Sequence, residues 1–525
     1  MSQGFDPRKL VAGVFPHPVT KIQVIETHIS WVVLTGSFAY KFKKPVNFGF
    51  LDFSSLEKRH MACEQELRLN LRAAPGIYLG LVVLVESGDG LALVDAGDNP
   101  EIADVVEFGV RMLEFAQSSQ LDRQFEAGLL GGADMDRVAA TIAALHESAA
   151  IADAGQPWGD PETVVQPARE NFRHLYELAP NEGETLDQLK HWSEAEFAAH
   201  QSLFRQRKLD GRVRECHGDL HLSNLVRLGS EILAFDCIEF DPALRWIDVL
   251  SDVAFLHMDL AVRQRADLAF RFLNAYLERG GDYAGAGVLP FYISYRSMVR
   301  AKVAALQLLD EGLPEERRHG LDQRRELHIR FAHSLIGAAK PTLVLMHGLS
   351  GSGKTWLSQQ LLECLPALRI RSDVERKRLH GMSPDADTHS GQGAGIYSDA
   401  ATRHTYSHLL ANAGAMLSAG IDVIVDAAFL DEGRMDSFVQ LAARRRLRCV
   451  IVACEAPLPL LRKRLAERAR NGTDASEADL GVLDSQLRGT AAAPVESTAR
   501  IVRVDTSQDV DIPGLCRSIK DCRPG

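Results

Sequence analysis

The sequence predicts two folds in one chain, an α+β region followed by an α/β region with a parallel sheet. Three observations carry this prediction. Residues 1–110 are rich in short β-like runs, the chain is then mostly helical to about residue 338, and strand-like and helix-like runs alternate after Pro341. A length of 525 residues suits several folding units, and a hydrophobic fraction of 46% is ordinary for globular domains.

The first region begins with strand-like runs and one amphipathic helix. Strands are predicted at 22–27, 31–34, 38–43, 80–85 and 91–94, with a hairpin turn at 35–37. Apolar residues at helical spacing predict a helix over 54–73. In the second region, strands are predicted at 342–346, 367–371, 422–426, 448–453 and 501–504. Residues 337–341 are the expected linker, because Pro341 ends the helical periodicity.

Charge and cysteine content narrow the function classes. The net charge of −11 gives no global attraction to nucleic acid or to an anionic membrane. The eight cysteines form no CxxC pair, which favours reduced thiols over a disulfide or zinc framework. No window reaches 18 apolar residues, and the N-terminus has no apolar leader segment. We therefore expect a soluble cytoplasmic protein.

A glycine-rich turn follows the apolar run 343–346 and opens a predicted helix over 356–365. This strand–turn–helix setting is that of a P-loop, or Walker A motif, whose backbone N–H groups hold phosphate oxygens. Lys354 can reach the β- and γ-phosphates of ATP, and the Thr355 hydroxyl can bind Mg²⁺. The predicted nucleotide-binding residues are Gly348, Leu349, Ser350, Gly351, Ser352, Gly353, Lys354 and Thr355.

Further polar residues follow the strands of this second region. Asp373 lies at the end of a strand, beside the expected γ-phosphate, where it can accept the proton of an acceptor hydroxyl. Arg376 can hold an anionic acceptor or the transferred group. Asp426 ends an apolar strand and can hold Mg²⁺ as a Walker B carboxylate. A helix N-cap role for Ser372 or Asp373 is an alternative that is compatible with catalysis.

Arg464 and Arg468 are four residues apart on one face of a basic helix, although a solvated helix explains this spacing too. The D-x-x-R element at Asp373 and Arg376 resembles that of P-loop kinases of the gluconate kinase, polynucleotide 5′-kinase and zeta-toxin type, an AAA-like ATP-binding domain. The resemblance implies a helical lid whose arginines, Arg464 and Arg468, neutralise charge in the transition state. Residues 427–430 contain no glutamate of the ATPase-motor kind, which favours phosphate transfer.

A second phosphate-handling signature lies upstream, where residues 217–224 have the spacing H-x-D-x-x-x-x-N and a strand-like run ends in Asp236. Phosphoryl transfer needs a carboxylate that accepts the hydroxyl proton, and an amide oxygen and a second carboxylate that hold Mg²⁺. Residues 20–330 resemble the aminoglycoside phosphotransferase family, which has a bilobal protein-kinase-like fold. The resemblance implies that Asp219 is the catalytic base, that Asn224 and Asp236 bind Mg²⁺, and that His217, Asp248 and Asp252 brace the loop.

A kinase-like fold also needs a lysine on its third strand and a glutamate on the next helix. Lys41 shares a strand face with the small Ala39, and Lys43 is its rival on the same face. Glu66 is slightly favoured over Glu64 as its partner. The first hairpin carries residues 27–30 where kinases place a glycine-rich loop, so phosphate closure there must differ.

The resulting prediction is a bifunctional ATP- and Mg²⁺-dependent phosphotransferase acting on hydroxyl acceptors, with small molecules expected and nucleic acid disfavoured by the net charge. Residues 1–338 form the kinase-like domain, with a small lobe at 1–110 and a large lobe at 111–338, and residues 340–525 form the P-loop kinase domain. Two alternatives remain: a nucleotide-sensing regulatory protein with one weak kinase module, motivated by the missing glycine-rich loop, and a polynucleotide 5′-hydroxyl kinase, motivated by the D-x-x-R element.

Overall fold

The computed structural model describes residues 5–49, 51–88, 90–98, 105–337, 339–384, 386, 388, 394–471, 476–488 and 499–521. Contacts divide the chain into two compact units. Unit 1 comprises Met1–Val164 with Arg205–Leu256, and unit 2 comprises Val165–Phe204 with His257–Gly525. The domain boundary expected between residues 338 and 340 concerns whether residues 1–338 and 340–525 fold independently, and it stays a prediction.

The strands and helices have the following bounds. The strands are β1 (Gln23–Glu26), β2 (Ser30–Leu34), β3 (Phe38–Lys43), β4 (Tyr78–Ser87), β5 (Gly90–Asp95), β6 (Val105–Leu113), β7 (Val213–Glu215), β8 (Leu225–Leu228), β9 (Glu231–Ala234), β10 (Trp246–Asp248), β11 (Thr342–His347), β12 (Ala367–Arg371), β13 (Asp422–Asp426), β14 (Arg448–Glu455) and β15 (Arg500–Asp505). The α-helices are α1 (Leu56–Ala73), α2 (Leu121–Glu126), α3 (Gly132–Ser148), α4 (Pro161–Leu178), α5 (Gly183–Leu209), α6 (Pro242–Arg245), α7 (Val249–Val262), α8 (Ala266–Gly280), α9 (Leu289–Gln307), α10 (Glu315–His333), α11 (Lys354–Cys364), α12 (Ser372–Leu379), α13 (Asp399–Ser418), α14 (Glu432–Arg444), α15 (Leu458–Asn471), α16 (Leu480–Arg488) and α17 (Ile512–Lys520).

Unit 1 contains a six-stranded antiparallel sheet in the order β1-β2-β3-β6-β4-β5. Alternation along β3 divides its side chains between two cores. Tyr40 and Phe42 pack with residues from the N-terminal segment, whereas Ala39 packs in a cluster with Cys63 of α1. Ser55 caps α1, because its side chain accepts a hydrogen bond from the backbone N–H of Lys58. One face of the sheet is therefore turned toward α1, and that face carries the lysines.

A second part of unit 1 holds two short antiparallel pairs, β7 with β10 and β8 with β9. The segment 216–224 connects β7 to β8, and residues 235–241 follow β9. Because both segments leave short strands, they can adopt irregular backbone and present side chains. These two segments carry the HxDxxxxN residues and Asp236.

Unit 2 contains a five-stranded sheet in the order β12-β13-β11-β14-β15, and every pairing in it is parallel. All six residues of β11 are buried, as expected of a central parallel strand covered on both faces. A core cluster joins this sheet to α11 and α17. The predicted α/β fold with a parallel sheet is confirmed, and its five predicted strands correspond to β11–β15.

Helices α4, α5, α9 and α10 pack together in a separate core cluster, which includes Phe172, Leu189, Met298 and Ile329. Helix α8 packs beside α11 and β12. Among the described residues, no helix combines the length and apolarity that a membrane span requires. The described cysteines are free thiols, and Cys522 lies outside the described residues.

Candidate active sites

The upstream site, in unit 1, is built around Lys41 of β3. Its Nζ lies 2.7 Å from Glu66 Oε1 and donates a hydrogen bond to Asp236 Oδ1. Glu66 is fully buried on α1, whereas Glu64 is 51% exposed and lies 3.5 Å from His60. The structure therefore pairs Lys41 with Glu66.

Lys43 lies on the same strand face and reaches the same carboxylate. Its Nζ is 2.5 Å from Glu66 Oε2 and also pairs with Glu239. Lys43 and Glu66 are both fully buried, and of these two lysines Lys41 is the one that pairs with Asp236. Two lysines and three carboxylates thus form one charged cluster (Lys41, Lys43, Glu66, Asp236 and Glu239).

The charges in this cluster hold Lys41 and Asp236 in their ionised forms. Burial lowers the pKa of Lys41, but Asp236 and Glu66 raise it by more, so that it lies well above its usual value. Burial raises the pKa of Asp236, and the Lys41 ammonium lowers it to below its usual value. At neutral pH the Asp236 carboxylate is therefore ionised, and such oxygens are the kind that a hard divalent cation prefers.

The backbone at Asp236 is left-handed, with φ of 66°. Its N–H donates to the Tyr78 hydroxyl at 3.2 Å, and the next N–H, of Cys237, donates to Asn70 Oδ1 at 2.9 Å. A non-glycine residue in this conformation is strained and persists where its surroundings fix it. The Asp236 side chain is 42% exposed.

Asp219 and Asn224 lie together at the turn before β8. Asn224 Nδ2 donates to the carbonyl of Asp219 at 2.9 Å and to its Oδ2 at 3.2 Å. His221 Nε2 lies 3.2 Å from the same Oδ2, and the Asp219 side chain is 37% exposed. Since Nδ2 is used internally, the Oδ1 of Asn224 is the atom suited to a cation.

Asp252 of α7 binds the backbone of the segment 216–224. Its carboxylate accepts hydrogen bonds from the N–H of His217 at 2.8 Å and of Gly218 at 3.0 Å. The His217 ring donates from Nε2 to the Phe235 carbonyl and accepts at Nδ1 from the N–H of Asp219. Asp248 is bound by Arg207 through two contacts of 2.6 and 2.7 Å. His217 and Asp252 therefore occupy bracing positions.

The turn between β1 and β2 is closed by its own hydrogen bonds. The N–H and Oγ1 of Thr27 both donate to the Ser30 carbonyl, and the Ser30 N–H donates to Thr27 Oγ1. The N–H groups of Thr27 and Ser30 are therefore paired within the turn.

The downstream site, in unit 2, forms where β11 leads into α11. Gly348, Gly351 and Gly353 have φ of 141°, 83° and 84°, which side chains disfavour. A Cβ on Gly348 would lie 2.5 Å from the carbonyl of Cys454, and one on Gly351 would lie 2.9 Å from that of Leu461. Glycine is therefore required at these positions of the loop 348–355, which we call the glycine cradle.

Lys354 begins α11 and folds back over the loop. Its Nζ donates to the carbonyls of Gly348 and Leu349, both at 2.9 Å. Burial lowers the pKa of Lys354 below its usual value. These contacts hold the ammonium at the mouth of the cradle, where an anion with several oxygens can bind it.

Asp426 ends β13 beside the loop, and its side chain is 4% exposed. Ser358 Oγ lies 3.0 Å from Asp426 Oδ2, and Arg371 Nε lies 4.0 Å from the same atom. Thr355 and Asp426 line one cavity together with Lys354. An hydroxyl and a carboxylate at this position are the donor set that Mg²⁺ uses beside bound phosphates.

Asp373 and Arg376 lie in the first turn and a half of α12. The N-cap position is taken by Arg371 without a side-chain cap, so neither Ser372 nor Asp373 is the N-cap residue. Arg376 donates to the Ile396 carbonyl at 2.9 Å and to Thr402 Oγ1 at 3.0 Å, and it packs over the Tyr397 ring. Asp373 and Arg376 both line the cavity.

Arg464 and Arg468 of α15 also line this cavity, which has a volume of about 890 Å³. Arg464 donates to Thr506 Oγ1 at 3.0 Å and to the Thr506 carbonyl at 2.7 Å, and Arg468 donates to the Ala478 carbonyl. The structure thus brings ten predicted downstream residues to one cavity: Ser350, Gly351, Gly353, Lys354, Thr355, Asp373, Arg376, Asp426, Arg464 and Arg468.

Three residues that contact the sites were missed by sequence reasoning. Glu239 pairs with the buried Lys43, Glu278 pairs with Arg371, and Gln486 accepts from the Ser350 N–H at 2.8 Å. Of these three, Glu239 has a counterpart in the sequence pattern, because a second lysine on a buried strand face requires an acidic partner. The other two come from distant parts of the chain.

Both sites fit a nucleotide and a divalent cation. The glycine cradle with Lys354 matches phosphate, and Thr355 with Asp426 supplies oxygen ligands for a metal. Upstream, Asn224 and Asp236 offer an amide oxygen and an ionised carboxylate near the Lys41 ammonium. The donor sets are all oxygen, as Mg²⁺ requires.

Comparison with known families gives two matches in the same order along the chain. Residues 95–289 match the phosphotransferase enzyme family, and residues 343–493 match an AAA domain family. The phosphotransferase resemblance and the P-loop resemblance predicted from motifs are confirmed. Both matched regions are of kinase type, so the chain is an enzyme of the kinase class.

Similar proteins were found among curated sequences and solved structures. The uncharacterized protein Mb2027c of Mycobacterium bovis and the uncharacterized protein Rv2004c of Mycobacterium tuberculosis are each 32% identical over 465 residues, covering 88% of this chain and 89% of theirs. A choline/ethanolamine kinase family protein from Mesorhizobium loti is 12% identical with a TM-score of 0.33, covering 60% of this chain and 92% of that chain. A shikimate kinase from Acinetobacter baumannii is 16% identical with a TM-score of 0.23, covering 34% of this chain and 90% of that chain. The chain belongs to the same protein family as these mycobacterial relatives, with a phosphotransferase-family region upstream and a P-loop kinase-like AAA domain downstream.

Proposed function

We propose that the chain is a bifunctional ATP-dependent phosphotransferase in which each region transfers the γ-phosphate of ATP to a hydroxyl group of a small molecule. One observation carries the proposal: there are two separate residue sets, and each contains a candidate base, oxygen ligands for a cation and a lysine. Upstream, these are Asp219, Asn224 with Asp236, and Lys41. The downstream set is Asp373, Thr355 with Asp426, and Lys354.

In the upstream site, the exposed Asp219 carboxylate accepts the proton of the acceptor hydroxyl as its oxygen attacks phosphorus. Asn224 Nδ2 and His221 hold Asp219 in place, so the base is positioned before substrate arrives. Lys41 orients the phosphates, with Glu66 fixing its position. A bound Mg²⁺ would supply charge neutralisation for the transferred group.

In the downstream site, Asp373 takes the acceptor proton, and the phosphoryl group passes from ATP to the acceptor oxygen, leaving ADP. The loop N–H groups and Lys354 hold the phosphates. Arg464 and Arg468 offer fixed positive charge where negative charge develops on the phosphoryl oxygens. The net charge of −11 and a cavity of about 890 Å³ support a small-molecule acceptor.

The test is a metabolite-pool screen with γ-labelled ATP on the full-length protein. Asp219→Asn and Asp373→Asn should each remove one set of labelled products, by about 10²- to 10⁴-fold in rate, and leave the other set. Asp210→Asn and Asp436→Asn are matched controls, because both residues are exposed and lie outside the two sites. Labelled products that survive the Asp219→Asn, Asp373→Asn double variant would contradict the proposal.

A nucleotide-sensing role for the upstream region is the second candidate, and the self-closed turn at Thr27 and Ser30 favours it. ATP affinity and turnover measured in the Lys354→Ala background would separate the two functions. Tight ATP binding without label transfer in that background supports sensing, whereas transfer supports catalysis by both regions.

A further inference from the structure

The edge of the parallel sheet in unit 2 is covered by α8. Strand β12 is the first strand of the sheet, and its outer backbone groups face Asn274 of α8. Asn274 Nδ2 donates to the Ala367 carbonyl at 2.8 Å, and its Oδ1 accepts from the Arg369 N–H at 2.6 Å. One amide therefore pairs with two outward groups of β12, as a neighbouring strand would.

Glu278 lies one helical turn after Asn274 and extends the same contact. Its Oε1 accepts from Arg371 Nη1 at 3.0 Å, and its Oε2 lies 3.2 Å from Arg369 Nη2. Burial raises the pKa of Glu278, but Arg369 and Arg371 lower it by more, to below its usual value. Glu278 is therefore an anion shared between the buried Arg369 and the partly buried Arg371.

Both arginines continue toward one oxygen of the downstream site. Arg371 Nε lies 4.0 Å from Asp426 Oδ2. Arg369 Nη1 donates to Ser358 Oγ at 3.2 Å, and that hydroxyl lies 3.0 Å from the same Asp426 oxygen. Two short chains of contacts thus join Glu278 to Asp426. Glu278 lies in the region that matches the phosphotransferase family, and Asp426 in the AAA domain.

We propose that Glu278 is a positioning residue for the downstream site, which keeps Asp426 available for a divalent cation. Arg371 forms an ion pair with Asp426, and Arg369 reaches the same carboxylate through the Ser358 hydroxyl, so both cations would compete with a metal for its charge. Glu278 offsets part of that positive charge, because it pairs with both arginines. The upstream region of the chain thereby sets the metal affinity of the downstream site. The proposal rests on the role proposed above for Asp426.

The test measures how binding of a non-hydrolysable ATP analogue to the full-length Glu278→Gln variant depends on the Mg²⁺ concentration. Binding is measured by calorimetry. We expect the Mg²⁺ concentration at half-saturation to rise by about tenfold, within the range found for residues that support metal ligands. Analogue binding in EDTA should change less than twofold. If the substitution disrupted the nucleotide site as a whole, analogue binding would weaken both with Mg²⁺ and in EDTA. An equal loss of analogue affinity in EDTA would therefore overturn the proposal.

Glu363→Gln is the matched control. Glu363 lies on α11 and pairs with Arg271 of α8 at 2.5 Å, so its loss removes one ion pair between α8 and α11 and leaves the contacts of Glu278 with Arg369 and Arg371 in place. Its Mg²⁺ midpoint should equal that of the wild type. An equal shift in the two variants would show that packing of α8, and not Glu278 itself, is responsible.

The Arg371→Gln variant tests the proposal independently of whether Glu278→Gln folds. Because this substitution removes a cation near Asp426, the variant should need no more Mg²⁺ for analogue binding than the wild type. Combining the two changes should reduce the Glu278→Gln effect, since the two residues act through one contact. A higher Mg²⁺ requirement in Arg371→Gln would overturn the proposal. If the wild type shows no Mg²⁺-dependent analogue binding, the proposed function itself fails, which is a different result.

Discussion

Replacing Asn274 with leucine should destabilise unit 2, because a single buried amide pairs with the edge of its parallel sheet. The side chain is 4% exposed and contacts Ala367 and Arg369 of β12. The variant leaves one buried carbonyl and one buried N–H without a partner. A buried unsatisfied group costs about 1–3 kcal/mol, so two of them give an expected loss of about 2–4 kcal/mol once partial access to water is allowed for.

Asn171→Leu is the matched control, with the opposite expected sign. Asn171 is fully buried in α4 of the same unit, and neither of its amide atoms has a hydrogen-bond partner among the described residues. Replacing an unsatisfied amide by an apolar side chain of similar size should be neutral, or stabilise by about 1 kcal/mol. The same substitution is thus expected to have opposite consequences at two buried positions.

Hydrogen exchange by mass spectrometry on peptides spanning 367–371 is the direct assay, with urea unfolding as the measure of free energy. Exchange in β12 should accelerate in Asn274→Leu by a factor of about 30 or more, since 2 kcal/mol corresponds to that ratio. Unchanged protection of β12, or equal destabilisation by the two variants, would refute the assigned role of the Asn274 amide.

Three further predictions concern the sites. Lys354→Ala should abolish nucleotide turnover downstream while leaving the melting transition of the ligand-free protein in place, because Lys354 contacts loop carbonyls and not the core; loss of cooperative melting contradicts this. Calorimetry should find two ATP per chain with Mg²⁺, with Asp236→Ala weakening one site and Thr355→Ala the other, and one ATP per wild-type chain would sink the two-site proposal. The pKa of Glu278 in the folded protein lies below its usual value of 4.5. Its carboxylate therefore stabilises the fold at pH values above 4.5, and this stabilisation is lost as the pH falls through the folded-state pKa. Urea unfolding of wild type and Glu278→Gln should therefore converge as pH falls from 6 toward 3, and a constant difference would contradict it.

The parallel sheet of unit 2 could be predicted from sequence because each of its strands is an apolar run bounded by polar residues. The strand predicted at 342–346 became β11, and that at 422–426 is β13 with the same bounds. Strand β3 also has its predicted bounds, Phe38–Lys43. Local patterns suffice where burial of a whole strand leaves a continuous signature.

The choice between Lys41 and Lys43 could not be made from sequence, because a period of two places both on one face. Which lysine approaches Asp236 depends on a segment that is distant in sequence and joins the cluster only in the fold. Glu278 was out of reach for the same reason. Its partners Arg369 and Arg371 lie about ninety residues away, and nothing in the pattern of α8 distinguishes it from a solvated helix residue.

The sharing of Glu66 by two lysines has a consequence for how Lys41 can move. In a lone buried pair, a lysine that turns toward phosphate abandons its carboxylate, and the stranded charge resists the movement. Here Lys43 remains 2.5 Å from Glu66 and is itself fully enclosed. Glu66 therefore keeps a counter-ion when Lys41 turns toward phosphate, and this part of the electrostatic cost of the movement is lower than in a lone pair.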